Sequence, residues 1–66
     1  MVDTPREHAS VKTFDGRTHE LIAVEIKSDT WRVRKIVAGT LIEGSGESAL
    51  AAAESWATKY KATFAR

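Results

Sequence analysis

ASVKTFDGRTHELIAVEIK, residues 9–27, is the stretch whose reading decides the fold. Its opening residues alternate, with Ala9, Val11 and Thr13 on one side and Ser10, Lys12 and Phe14 on the other. That period of two is what a strand imposes on its side chains. Asp15-Gly16 follows, a dipeptide suited to a two-residue type I′ turn in which both positions take positive φ. From Thr18 to Lys27 apolar residues fall on both sides. Ile22, Val24 and Ile26 share one face, and Leu21 and Ala23 share the other with Glu25 and Lys27. A two-residue loop sets Ala9 opposite Ile22 and Val11 opposite Glu20, so that the β-branched residues gather on Ala9's side. That side is the expected core face, and Leu21 and Ala23 are expected to point away from it.

Working towards the C-terminus, Ser28-Asp29 is the next turn signal. As a two-residue loop it places Trp31 opposite Ile26 and Val33 opposite Val24, and Trp31 and Ile26 are expected to pack beneath a helix. After Arg34 the alternation slips, and a bulge near Arg34-Lys35 restores it by turning Ile36 and Ala38 inward. Gly39-Thr40 then bends the chain into a short fourth strand, Leu41 to Glu43, or the third strand runs on. Both readings stay open. Gly44-Ser45-Gly46 marks the break from sheet to helix, with Ser45 as N-cap and Glu47 in the first turn. Beyond it Leu50, Ala53, Ala57, Tyr60 and Phe64 recur at helical spacing, with Ala49 and Trp56 flanking that stripe. Six alanines between residues 49 and 62 favour a helix, and Lys59, Lys61 and Arg66 suit its C-terminal end.

The predicted class is therefore α+β: an antiparallel β-meander of three strands, or four, packed on one face by a single C-terminal α-helix (βββα). Residues 1–7, with Pro5 and alternating charge, read as a flexible tail, and 8–66 as one domain. The composition is that of a globular chain, 42% hydrophobic and 29% charged over 66 residues. Without cysteine there is no disulfide framework, thiolate metal site or thiol nucleophile. The charged N-terminus does not resemble a signal peptide. No run approaches the roughly 20 apolar residues of a membrane helix. The expectation is a soluble, cytoplasmic domain with no membrane contact. Ordering each residue costs about 1.5 kcal/mol, so a core this small is marginal, and a second subunit is an obvious remedy.

The chemistry-bearing residues are few. His8 and His19 sit at different heights of the first hairpin without converging carboxylates, which is the pattern of ordinary surface histidines. The serines lack a nucleophile-elbow context. No catalytic, cofactor-binding or metal-binding residues are expected, and the chain is expected not to be an enzyme. The net charge of +1 conceals a basic segment, with Lys27, Arg32, Arg34 and Lys35 against Asp29 alone in residues 26–42. Arg32 and Arg34 alternate with Trp31 and Val33, so they project from the face away from the helix. In the expected register Lys12, Phe14, Leu21, Ala23 and Lys27 share that face. Together these seven residues form the candidate binding surface: an apolar centre with a basic rim, as in many protein interfaces. In order of elements alone, the chain is similar to the βββα modules of AP2-type and integrase arm-type DNA-binding domains, whose sheets enter the major groove. The first functional expectation is a protein-interaction domain, binding itself as a homodimer or an unknown protein. The alternative is weak nucleic-acid binding through Lys12, Lys27, Arg32 and Arg34.

Overall fold

The computed structural model describes residues 5–65. Four strands form one antiparallel sheet in sequence order: β1 (Arg6–Lys12), β2 (Thr18–Lys27), β3 (Thr30–Val37) and β4 (Thr40–Gly46). A single helix, α1 (Ala49–Phe64), crosses one face of the sheet and touches every strand. The α+β meander with a C-terminal helix is thus present, in its four-stranded form. The element order is ββββα, which departs from the three-stranded DNA-binding modules. Residues 1–4 of the expected tail lie outside the described residues. Arg6 and Glu7, also assigned to that tail, belong to β1 and pair with Val24 and Ala23.

The first turn differs from expectation by one residue, and much follows from it. Thr13 N–H donates to Arg17 O (2.9 Å), and Gly16 N–H donates to Thr13 O (3.0 Å). The loop is therefore three residues long, Phe14 to Gly16. Gly16 takes φ +83°, whereas Asp15 is not among the positive-φ residues. A three-residue loop asks for the left-handed conformation only at the glycine, while a type I′ turn would ask it of the aspartate too. Asp15 instead uses its carboxylate, accepting hydrogen bonds from Thr13 Oγ1 (2.5 Å) and from Arg17 N–H (3.2 Å).

The longer loop slides β2 by one residue, so that Ala9 faces Leu21 and Val11 faces His19. A one-residue slip exchanges the two faces of a strand. Leu21 and Ala23 are buried against the helix, 1% and 0% exposed, and Ile22 is half in solvent at 50%. The expected inward placement of Ile22, Val24 and Ile26 is reversed. On the other side of β2, Lys27 still pairs with Thr30, but a bulge at Ile26 shifts the ladder to Glu25↔Trp31 and Ala23↔Val33. The irregularity expected at Arg34-Lys35 lies here instead. β3 runs unbroken, Trp31 and Val33 keep their expected phase, and Ile36 points outward. Trp31 and Ile26 consequently do not share a face.

The helix begins one turn signal later than expected. Ser48 is its N-cap, with Oγ accepting from Ala51 N–H (3.1 Å). Ser45 lies in β4 opposite Arg32. The buried stripe is Ala49, Ala52, Ala53, Trp56 and Tyr60, and Leu50 is exposed. Trp56 is fully buried (0%) at the centre of the core, with Leu21, Ala23, Val33 and Ile42 beneath it. Gly44 makes that possible. A Cβ there would stand 2.2 Å from Trp56 N and 2.6 Å from Ala52 O, so the bare backbone lets helix and strand meet.

Candidate binding face of the sheet

The inward phase of one face settles the other. Along β1 the outward residues are Arg6, His8, Ser10 and Lys12, and along β2 they are Glu20, Ile22, Val24 and, at the bulge, Ile26. Arg32, Arg34 and Ile36 follow on β3, and Leu41, Glu43 and Ser45 on β4. Arg6 and Arg32 both pair with Val24, one from each side, so two guanidinium groups flank one valine. Arg6, Ile22, Val24, Ile26, Arg32 and Arg34 line one shallow groove. Neighbouring strands lie about 4.8 Å apart, which leaves roughly 10 Å between the backbones bearing Arg6 and Arg32.

Charge on this face is unevenly partnered. Arg34 Nε lies 3.8 Å from Glu43 Oε2. Arg6, Arg32 and Glu20 have no oppositely charged side chain within 4 Å among the described residues. Ile22, Ile26, Ile36 (66% exposed) and Leu41 are large apolar side chains left in solvent on the same face. No helix or loop among the described residues covers them.

Of the seven residues expected to form a binding surface, Arg32 and Arg34 do stand together. Lys12 is outward but lies six residues along β1 from Arg6, about 20 Å away. Lys27 sits beyond the bulge, at the turn. Leu21 and Ala23 are corrected to the core. Phe14 is in the first loop, its ring 5.8 Å from that of Tyr60, on the helix side. Arg6, Ile22, Val24 and Ile26 were not expected here. β2 is apolar on both faces, so alternation alone did not give its phase, and Arg6 was hidden by its place in the tail.

Elsewhere the ionisable groups serve the fold. Tyr60 Oη donates to Asp15 Oδ2 (2.7 Å) and joins the end of the helix to the first turn. The bond from Thr13, then that from Tyr60, holds the Asp15 carboxyl down to about 2. The same contact to Asp15, with burial, pushes the Tyr60 hydroxyl up. His19 is not a surface histidine. It is half-buried on the inner face, with ring centroids 5.1 Å from Trp56 and 5.0 Å from Tyr60, whereas His8 is on the outer face. No group of three His, Asp or Glu that could hold a metal occurs among the described residues. Among them, too, no helix is long and apolar enough to cross a membrane. Comparison with protein-family models, curated proteins and solved structures finds nothing that matches this chain.

Proposed function

We propose that the chain is a non-enzymatic protein-interaction domain that works through the outer face of its sheet. The observation that carries this reading is the exposure of Ile22, Ile26, Ile36 and Leu41 on one face, beside Arg6 and Arg32, which have no carboxylate partner among the described residues. Interfaces between proteins combine aliphatic or aromatic centres with arginine, and a soluble surface gains nothing from four such side chains on one face. The alternative, nucleic-acid binding, draws support from Lys12, Arg32 and Arg34 on that face. It is the weaker reading, because all five Phe, Tyr and Trp residues lie on the helix side, leaving none to stack on bases.

A photoreactive benzoylphenylalanine at position 36, on the outer face, and another at position 50, on the exposed side of the helix, test the reading in cells. Position 36 should form protein adducts of discrete mass, and position 50 should not. If position 36 captures no protein while the domain stays folded, the reading fails. Nucleic-acid adducts at position 36, with in vitro affinity falling steeply as salt rises, would establish the alternative.

A further inference from the structure

We infer that the occupant of the outer face is a second copy of this chain. It packs face to face, with its β2 antiparallel to the first, about a twofold axis that lies between the two sheets and runs perpendicular to the strands over Ile22. This deepens the reading of that face as a protein-binding surface and rests on it.

The inference comes from where the unpartnered charges sit. Val24 and Glu20 lie on β2 at equal distances from Ile22, two residues to either side, and all three side chains point outward. Arg6 and Arg32 flank Val24. A twofold axis over Ile22 carries Glu20 of one copy over Val24 of the other. Each Glu20 carboxylate then enters the notch between the partner's Arg6 and Arg32, and the exchange occurs twice. Arg6, Arg32 and Glu20, which have no opposite partner among the described residues of one chain, thus satisfy one another in two. Ile22 meets its own copy on the axis. Arg34 also lies beside Ile22 and would approach its counterpart, and it is the one arginine of the groove that Glu43 already neutralises. An isologous interface needs such a self-complementary patch.

Size and energetics agree. Four strands about 4.8 Å apart and seven residues long present a face of roughly 20 by 23 Å. With side-chain relief, its accessible area approaches the roughly 800 Å² per partner of a standard interface. Of the nine buried hydrophobic residues, four are alanine, namely Ala23, Ala49, Ala52 and Ala53. Covering Ile22, Ile26, Ile36 and Leu41 would add larger side chains than much of the core contains.

Charge reversal tests the pairing, read by sedimentation equilibrium of the whole chain between about 1 and 500 µM. The parent should dimerise. Glu20→Arg should weaken the dimer at least about tenfold by setting like charges together, and so should Arg6→Glu with Arg32→Glu. Mixing these two variants should restore association as a heterodimer, because each then presents what the other lacks. Recovery on mixing also shows that both variants are folded. A parent that remains monomeric throughout overturns the inference, while the outer face is judged separately by the photoreactive probe. A dimer indifferent to the charge reversals overturns it as well. Ile22→Arg then distinguishes the cases: dissociation keeps the outer face as the interface in another register, and persistence moves the dimer elsewhere.

Discussion

Gly44 and Trp56 are a matched pair. The indole is the largest fully buried side chain, and it lies on a strand that offers no Cβ beneath the backbone carrying it. Adding one methyl, Gly44→Ala, must lift the helix from β4, because the atoms it would meet are backbone rather than the end of a flexible side chain. Overpacking a core costs about 1–3 kcal/mol and sometimes more. A domain this small holds only about 3–5 kcal/mol. Gly44→Ala should therefore lose most of its cooperative melt by circular dichroism, and a melt like the parent's would mean that the helix does not sit as described. That glycine is legible in the sequence only as a breaker, and the expectation placed it in a loop. What it does instead, admitting a tryptophan from a helix that starts five residues later, depends on a contact that local pattern does not contain.

Among the elements, the turn between β3 and β4 is the least well matched to its sequence. Ala38 and Gly39 have φ of 50° and 79°, the two left-handed positions of a two-residue turn between Val37 and Thr40. Alanine is strained there by its Cβ, and asparagine tolerates the region better. Ala38→Asn should stabilise the domain by about 0.5–1 kcal/mol. For a chain of this length that raises Tm by about 3–6 °C. A lower Tm would show that this turn is not strained. The same element explains why the sequence does not decide the fourth strand: Ala38-Gly39 is a poor turn signal, and only its pairing partners, Ile36↔Leu41 and Val37↔Thr40, reveal it. The helix, by contrast, was legible as an element, though its N-cap is Ser48 rather than Ser45. Its alanine content and apolar spacing specify the element, although its buried stripe is rotated so that Trp56 replaces Leu50.

Across the whole molecule, the Asp15–Tyr60 bond ties the first hairpin to the end of the helix, and it carries a pH signature. The Asp15 carboxyl is lowered to about 2 in the fold from an ordinary 3.8, so the folded state prefers the carboxylate. Its contribution is complete above pH 4–5, where the unfolded group is also ionised, and it disappears as pH falls through about 2. The Tm difference between the parent and Asp15→Asn should accordingly be largest near neutral pH and shrink between about pH 4 and pH 2. A constant difference over that range would mean that the carboxylate plays no part in joining helix to turn.

Residues 9–27 by themselves determined that two strands and a tight turn occur here, and residues 49–64 that one helix follows. Those conclusions rest on period, propensity and turn chemistry, which are local. Residues 31–34 likewise determined the inward phase of Trp31 and Val33, because arginines alternate there with apolar residues. Which face of β2 is buried was decided only in three dimensions. Leu21 and Ala23 compete there with Ile22, Val24 and Ile26, and both sets are apolar. The decision falls to a loop of three residues rather than two, a bulge at Ile26, and the space Trp56 requires. Small Ala23 fits under a closely packed helix, and a row of β-branched side chains does not. The outcome moves Ile22, Val24 and Ile26 beside Arg6, Arg32 and Arg34, and so makes the face on which the proposed function depends.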